Sequence, residues 1–286
     1  MDKSLNWYLE QAKKNRYAIG HFNFSTEDVL RWIVEASCDA GAPAVMVGTS
    51  GGEADYVGMY EAVAMVQAVR KHYNFPVFLN ADHFKSFDKC REAIDAGYDT
   101  VLIDESKMSF VNNIAATKKV VEYAKSVNKS ITVEGEIGYL RGSSEVQKKV
   151  EISSDDYTKP EEACEFVEKT GVDRLAVVFG NIHGIMTDQE ERLDIEHFKK
   201  IVEAAPDVYY VLHGASGLKD EDIRAAIKAG IVNVHFNTEL RVAYTEGLHK
   251  ALHDKPGETT PYKYLKVGVD EMKKVVAAKI KMFMVR

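Results

Sequence analysis

The sequence predicts an α/β fold of the (β/α)8 TIM-barrel type, formed by one domain over residues 1–286 with C-terminal helices at about 262–283. Short apolar runs alternate with amphipathic stretches eight times, and the runs are mainly continuous rather than strict alternations of apolar and polar residues. Strands that are apolar on both faces are typical of parallel sheets covered by helices. Eight strand–helix units in about 250 residues match the size of a closed barrel.

Each strand is predicted from a run of apolar and β-branched residues, and each helix from apolar residues at helical spacing. The predicted strands are residues 18–24, 42–48, 77–83, 100–105, 131–137, 174–180, 208–214 and 232–238. The predicted helices are residues 26–41, 59–73, 87–97, 109–128, 160–170, 195–204, 219–229, 239–252 and 262–283, with a long polar segment at 138–158. An open doubly wound sheet is the rival, but no GxGxxG follows the first strand, which disfavours a dinucleotide fold.

Composition narrows the classes of protein. A net charge of −7 without a basic stripe argues against a nucleic-acid partner. No apolar run approaches the roughly 18 residues of a membrane span, and the first residues lack the apolar part of a secretory signal. Cys38, Cys90 and Cys164 are far apart and lack CxxC spacing, so we expect buried thiols and a cytoplasmic location rather than disulfides.

Polar residues cluster where the predicted strands end. The stretch VFLNADHF, at 77–84, places a carboxylate beside an imidazole at the end of a buried strand. In a barrel the C-terminal strand ends meet around one site. Five of the nine histidines lie at or just after such ends, namely His21, His83, His183, His213 and His235. Because several neutral imidazoles together are natural zinc ligands, this pattern predicts a metal site at the barrel mouth.

Two loops are typical of phosphate binding. LHGASGL, at 212–218, has glycines that allow a ligand close to the backbone, and Ser216 is placed to cap the helix that follows. FNTEL, at 236–240, offers Thr238 just before a helix. Loops after the seventh and eighth strands are the usual phosphate site of such barrels. The segment TSGGE, at 49–53, is either a second phosphate loop or an ordinary turn.

Five motifs, in the order ADHF, IDES, VEGEIG, FGNIHG and LHGASG, resemble those of the class II, metal-dependent ketose-bisphosphate aldolases. The resemblance covers nearly the whole chain. It implies a cytoplasmic lyase of glycolytic carbohydrate metabolism that reversibly cleaves a phosphorylated ketose to dihydroxyacetone phosphate and an aldehyde. Fructose-1,6-bisphosphate is the first candidate substrate and tagatose-1,6-bisphosphate the second. The resemblance also implies Zn²⁺ or another divalent metal, a monovalent cation near the substrate phosphate, and a homodimer or homotetramer.

The resemblance implies roles at matching positions. The implied metal ligands are His83, His183 and His213, with Asp104 and Glu136 as acidic positions for a second or displaced metal and Glu134 as a weaker neighbour. The implied catalytic residues are Asp82 and Glu145. The implied substrate contacts are Asn23, Thr49, Ser50, Gly184, Gly214, Ala215, Ser216, His235, Phe236, Asn237 and Thr238.

The expected chemistry explains why Asp82 stands next to His83. Cleaving the C3–C4 bond of a ketose leaves negative charge beside a carbonyl, and zinc as a Lewis acid spreads this charge into an enediolate. A general base must also take the proton of the C4 hydroxyl, and Asp82 is the candidate. Since neighbouring strand residues normally point to opposite faces, the backbone must turn locally to bring both side chains to one site.

Two of the departures from the family pattern bear most directly on substrate and activity. His235 stands where the family usually has an asparagine that contacts the substrate, so either the pocket changes or His235 becomes a fourth metal neighbour. In the loop after the fifth strand, GYLRGSSEVQ, Arg141 replaces a glycine and Ser144 stands at the position of a catalytic glutamate, with Glu145 beside it. Either Glu145 serves after a one-residue slip, or this loop is only a solvated charged segment.

Three alternatives stay open. A Schiff-base aldolase needs a lysine; none lies inside the eight predicted strands, but Lys85 and Lys107 lie just beyond two of them. A non-catalytic sugar-phosphate-binding paralogue would keep the metal site and lose the proton carrier, although it would have no need for Asp82. A metal hydrolase on the same barrel usually has an HxH pair on the first strand, which GHFNF lacks.

Overall fold

The structure is a computed structural model that describes residues 3–284. Its strands are β1 (Ile19–Asn23), β2 (Val45–Ser50), β3 (Val77–Phe84), β4 (Thr100–Ile103), β5 (Thr132–Ile137), β6 (Gly142–Gln147), β7 (Arg174–Val177), β8 (His183–Met186), β9 (Tyr209–Leu212) and β10 (Ile231–His235). Eight of them close a parallel barrel in the order β1, β2, β3, β4, β5, β7, β9, β10, while β6 and β8 form a separate two-stranded sheet. The predicted TIM barrel is thereby confirmed.

Helices cover the outside of the barrel. They are α1 (Leu5–Asn15), α2 (Glu27–Asp39), α3 (Gly51–Val57), α4 (Met59–Tyr73), α5 (Phe87–Ala96), α6 (Phe110–Val127), α7 (Pro160–Thr170), α8 (Ile195–Ala204), α9 (Asp220–Ala229), α10 (Thr238–Asp254) and α11 (Pro261–Phe283). The long C-terminal helix α11 confirms the predicted helical extension. The single-domain assignment stays a prediction, and its residues 1–2 and 285–286 lie outside the described part.

The barrel strands lie where apolar runs predict them, with ends that differ by a few residues. Four of the helices and strands given above were not predicted. Helix α1 precedes the first strand, α3 begins inside the segment TSGGE, the polar segment after β5 contains β6, and β8 lies between the predicted sixth strand and the helix that follows it. The predicted thiols are free, but only Cys90 is buried, while Cys38 and Cys164 are half-buried. Among residues 3–284 no helix has the length and apolar character that crossing a membrane requires.

Two hydrophobic clusters stabilise the barrel at different places. The larger lies between strands and surrounding helices, with aromatic members such as Phe22, Phe166 and Phe198 fully buried. The smaller joins Leu5 and Leu9 of α1 to Met46 and Phe78, which lie near the starts of β2 and β3. Helix α1 therefore covers the N-terminal end of the barrel, so the cavity described below is at the opposite end.

A buried arginine fills the polar interior of the barrel. Arg174, at the start of β7, is 0% exposed and forms an ion pair with Glu134 Oε2 at 2.5 Å. Its guanidinium also donates to Asn233 Oδ1 at 2.9 Å and to Asn80 Oδ1 at 3.2 Å. A buried charge is tolerated only when it is paired and hydrogen-bonded. Arg174 thus links β3, β5, β7 and β10 beneath the site.

Candidate active site

The end of β3 delivers Asp82 and His83 to one cavity. Both side chains line a cavity of about 140 Å³ at the C-terminal ends of the strands. His83 has a φ of 53°, in the left-handed region, and the register of β3 against β4 shifts between Ala81 and Phe84. A bulge of this kind redirects a side chain, and a non-glycine residue at positive φ is held at some cost in strain. The local turn expected from the sequence is therefore present.

Three imidazoles converge beside Asp82. One ring nitrogen from each of His83, His183 and His213 lies within 4.8 Å of the others. His83 Nε2 and His213 Nδ1 are 3.0 Å apart, and the rings of His83 and His183 meet edge to face at 5.1 Å between centroids. Burial lowers the pKa of His183 well below its usual value, with the charges of the other two imidazoles adding to the shift. A neutral imidazole is the form that binds a metal.

Carboxylates behind the imidazoles set which nitrogen carries hydrogen. His83 Nδ1 is 2.8 Å from Asp104 Oδ2, and His213 Nε2 is 2.7 Å from Glu134 Oε1. In the tautomers in which each N–H donates to its carboxylate, His83 Nε2 and His213 Nδ1 face each other across 3.0 Å. The two nitrogens must share either a proton, which the raised pKa of His83 favours, or a metal ion that takes the place of that proton. The donor set therefore fits a divalent metal such as zinc.

The acidic residues near His83 differ in their electrostatics. Burial alone would lower the pKa of His83, but the carboxylates of Asp82, Asp104 and Glu136 raise it to about 10. Burial opposes the ionisation of Asp104, yet its hydrogen bond with His83 and the nearby Lys85 lower its pKa. Glu136 Oε2 is 3.4 Å from His83 Nδ1. Burial and the charge of Asp104 raise the pKa of Glu136 to about 7.

Asp82 is held between two polar neighbours. Asn23 Nδ2 donates to Asp82 Oδ2 at 2.9 Å, and His235 Nδ1 lies 3.3 Å from Asp82 Oδ1. The ring of His235 stacks on that of His21 at 3.7 Å between centroids and lies 4.0 Å from that of His213. Burial opposes the charge of Asp82, but His83 and His235 lower its pKa well below the usual value. Asp82 is thus oriented as a carboxylate beside the imidazoles.

The loops after β9 and β10 form the side of the cavity suited to an anion. Gly214 has a φ of 64°, and a Cβ there would lie 2.2 Å from the carbonyl oxygen of Ile182, so no other residue fits without a shift. Ser216 does not cap α9 as expected, because its Oγ accepts from the backbone N–H of Glu239 in α10 at 3.4 Å. Helix α10 begins at Thr238 without a side-chain cap from Asn237, so the first-turn N–H groups other than that of Glu239 lack a partner within the helix on this side of the cavity.

Comparisons with known proteins agree with this geometry. The family model described as "Fructose-bisphosphate aldolase class-II" matches residues 3–286. The chain belongs to the class II fructose-bisphosphate aldolase family. A fructose-bisphosphate aldolase of Staphylococcus aureus (strain Mu50) is 37% identical over 285 residues, which covers 98% of this chain and 96% of that protein.

Solved structures support the same assignment. The crystal structure of the YdjI aldolase from Escherichia coli K12 has a TM-score of 0.83 and 30% identity, covering 98% of this chain and 96% of that one. A putative fructose-1,6-bisphosphate aldolase from Coccidioides immitis has a TM-score of 0.84 at 24% identity, covering 99% and 96%, and shows the shared fold. The family is one of lyases, so this chain is an aldolase-type enzyme of carbohydrate metabolism.

Most residues implied by the family resemblance line the cavity. The exceptions are Thr49, Asp104, Glu134, Glu136, Glu145 and Phe236. Asp104 and Glu136 lie behind His83 as described above. Thr49 is fully buried and its hydroxyl lies 2.7 Å from that of Tyr98, while Phe236 is fully buried under Lys279.

Glu145 lies on β6, outside the cavity. Its side chain is exposed and lines a neighbouring depression with Val146 and Arg241. Ser144 faces the cavity instead, with its hydroxyl 3.0 Å from that of Thr238. Because β6 pairs with β8 in parallel, Glu145 reaches the imidazoles only if residues 142–147 leave this sheet.

Glu53 and Arg241 both line the cavity, although neither was predicted from the sequence as a site residue. Arg241, in the first turn of α10, donates to the hydroxyl of Ser144 at 2.8 Å and also to its carbonyl oxygen. Glu53 accepts from the backbone N–H of Ser50 at 2.7 Å. Both belong to helices that follow strands. Glu53 also has the spacing of a capping box after Ser50, a signal that could have identified helix α3.

Proposed function

We propose that this enzyme is a metal-dependent aldolase that reversibly cleaves a phosphorylated ketose into dihydroxyacetone phosphate and an aldehyde. The observation that carries the proposal is the convergence of His83, His183 and His213 beside the Asp82 carboxylate in one cavity. Fructose-1,6-bisphosphate is the first candidate substrate because the curated relatives carry that name, and tagatose-1,6-bisphosphate is the second.

The three imidazoles would hold Zn²⁺ or another divalent ion. When bound, the ion supplies Lewis-acid polarisation of the ketose carbonyl. Asp82 accepts the proton of the C4 hydroxyl as the C3–C4 bond breaks, and the electron pair of that bond stays with the C3 fragment. Asn23 and His235 keep the Asp82 carboxylate in place for this transfer. Protonation at C3 then completes dihydroxyacetone phosphate, and Glu145 is the proposed carrier of that proton.

The phosphate of the dihydroxyacetone part is proposed to bind at the loops after β9 and β10. The turn at Gly214, the hydroxyl of Ser216 and the N-terminus of α10 border the cavity on this side. Arg241 supplies a positive charge there. Backbone N–H groups at a helix start together with a guanidinium are suited to bind a phosphate dianion.

The proposal also covers the cellular location of the enzyme, its oligomeric state and a monovalent cation. We infer a cytoplasmic enzyme that takes a small phosphorylated sugar and forms a homodimer or homotetramer. Assembly is supported by Tyr262, which is 72% exposed at the start of α11 beside a groove lined by Trp32 and Leu265. A monovalent cation near the substrate phosphate stays a prediction from the resemblance.

The direct test is release of dihydroxyacetone phosphate, measured with a coupled assay across several ketose phosphates, with and without a chelator. We expect turnover of at least one ketose phosphate that is lost with the metal and restored by zinc. Full turnover after complete metal removal would contradict the metal mechanism. Metal binding without turnover of any ketose phosphate would favour the non-catalytic sugar-phosphate-binding paralogue.

A further inference from the structure

One side of the cavity is formed by residues from three adjacent strands and from the first turn of α3. Glu53 Oε2 accepts from the backbone N–H of Ser50 at 2.7 Å and from Asn23 Nδ2 at 2.9 Å. The same Asn23 amide donates its second hydrogen to Asp82 Oδ2 at 2.9 Å. Both hydrogens of this amide and the Ser50 N–H are therefore bonded to carboxylates of the chain itself.

An incoming anion would find no free donor among these groups. A phosphate could recruit Asn23 only by taking its amide from Glu53 or from the proposed base, Asp82. It could recruit the Ser50 N–H only by displacing the Glu53 carboxylate that caps the seven-residue helix α3. Since two like charges repel most strongly in a partly buried site, a phosphate next to Glu53 is disfavoured.

The charged residues that line the cavity also disfavour a second phosphate next to Glu53. Of the described residues that line it, Arg241 is the only lysine or arginine, whereas Glu53 and Asp82 are both acidic. Arg241 lies in α10 and is bonded to Ser144, on the side of the loops after β9 and β10. The cavity thus has one side suited to a phosphate and one side that already holds a carboxylate.

We propose that the natural substrate is a ketose with a single phosphate, on C1, and that Glu53 determines this specificity by excluding a phosphate from the aldehyde part. This inference rests on the proposed aldolase function and narrows its substrate class. The aldehyde part is then an unphosphorylated polyhydroxy chain, whose hydroxyl groups donate to the Glu53 carboxylate. Cleavage gives dihydroxyacetone phosphate and a neutral hydroxyaldehyde.

The test uses condensation, in which the zinc-loaded enzyme joins dihydroxyacetone phosphate to an aldehyde. The acceptors are matched pairs that differ by one phosphate. The first pair is glyceraldehyde with glyceraldehyde 3-phosphate, each in D and L forms, and the second is erythrose with erythrose 4-phosphate. We expect kcat/KM to be higher by about tenfold or more for the unphosphorylated member of the best pair, since a site that lacks a donor rejects a group that needs one.

Glu53→Gln tests the residue itself, because the amide oxygen keeps the bonds to Ser50 and Asn23 while the charge is lost. We expect kcat/KM for the phosphorylated acceptor to rise by about tenfold, chiefly through KM, with little change for the unphosphorylated one. Asp55→Asn is the matched control, since Asp55 lies on the same helix, is 71% exposed and does not line the cavity. Asp55→Asn also removes one negative charge, and we expect it to leave the ratio of kcat/KM between the two acceptors unchanged.

The outcomes separate the two claims. A wild-type preference for phosphorylated acceptors by tenfold or more would overturn the single-phosphate inference and leave the aldolase function intact. A ratio that is the same in Glu53→Gln and wild type would overturn the role of Glu53. If Glu53→Gln does not fold, the wild-type ratio of kcat/KM between unphosphorylated and phosphorylated acceptors alone tests the single-phosphate inference. An enzyme that condenses no acceptor and does not exchange the C3 proton of dihydroxyacetone phosphate would contradict the proposed aldolase function itself.

Discussion

At the scale of single residues, the site depends on how Asp82 and His83 leave β3. The sequence places a carboxylate and an imidazole side by side, and only the positive φ of His83 brings both to one cavity. Asn23 and His235 then fix the carboxylate from two directions. Hydrogen bonds of this kind around a reacting group set its orientation, and orientation governs the rate of proton transfer.

Asp82→Asn tests the proposed base. The side chain keeps its size and can still accept from Asn23, but it cannot take the C4 hydroxyl proton. We expect kcat for ketose cleavage to fall by about 10² to 10⁴, the usual contribution of general base catalysis. Exchange of the C3 proton of dihydroxyacetone phosphate, measured by NMR in deuterium oxide, should persist because that compound has no C4 hydroxyl. Cleavage at the wild-type rate would contradict the role, and Asp88→Asn on the surface of α5 is the control.

His235→Asn tests whether this imidazole positions Asp82 or contacts the substrate. His235 is 4% exposed and stacked on His21, so we expect an effect on kcat. The loss should be about 10- to 100-fold, as for other residues that orient a ligand or base, with KM nearly constant and zinc content unchanged. A rise in KM with constant kcat would show instead that His235 contacts the substrate. His72→Asn, at an exposed position of α4, serves as the control.

At the scale of elements, the sequence predicts the barrel strands well and the local additions poorly. Strands buried on both faces are continuous apolar runs, so their positions follow from composition alone. Helix α3 was missed because Ser-Gly-Gly-Glu resembles a turn. Strand β6 was missed because its polar residues pair with β8, about forty positions away, and such pairing leaves no local pattern. Glu53 and Arg241 were missed for a related reason, since helices and not strand ends supply them.

The segment before β6 is anchored by an ion pair. Arg141 donates to both carboxylate oxygens of Asp156, each at 2.8 Å, and Asp156 also accepts from the backbone N–H of Ser153. The hydrogen bond from Arg141 and the charge of the guanidinium lower the pKa of Asp156 against the effect of burial. Arg141 thus holds the chain that carries Glu145.

Arg141→Ala should loosen this segment without unfolding the protein. We expect faster amide hydrogen exchange over residues 142–147, measured by mass spectrometry, with a nearly unchanged Tm, because the pair is partly exposed. If Glu145 carries the C3 proton, the exchange rate of dihydroxyacetone phosphate should rise with this mobility. Unaltered amide exchange in the segment would contradict the anchoring role. Arg192→Ala, at an exposed ion pair elsewhere, is the comparison.

At the scale of the whole molecule, the metal site is connected to the barrel interior. His213 bonds to Glu134, Glu134 pairs with Arg174, and Arg174 reaches Asn80 on β3 and Asn233 on β10. The fold class and the histidines could be predicted from the sequence because they follow strand ends. This network could not, since Arg174 begins a strand and its partners come from distant positions in the chain.

Arg174→Met should destabilise the fold. The methionine fills much of the space, but it leaves Glu134 as a buried charge with one fewer partner. Breaking a buried pair in this way costs about 3–5 kcal/mol of the free energy of unfolding, which urea denaturation followed by circular dichroism would measure. Arg224→Met, at an exposed site on α9, should change this free energy by less than about 0.5 kcal/mol. Equal stability of the two variants would contradict the proposed role of the network.

The most direct measurement is anomalous diffraction at the zinc absorption edge from crystals of the active enzyme. We expect one peak at about 2.1 Å from nitrogen atoms of His83, His183 and His213, with Asp82 beside it and outside bonding distance. A crystal of fully active enzyme in which the metal lies elsewhere, or in which these imidazoles bind none, would contradict the proposed metal site.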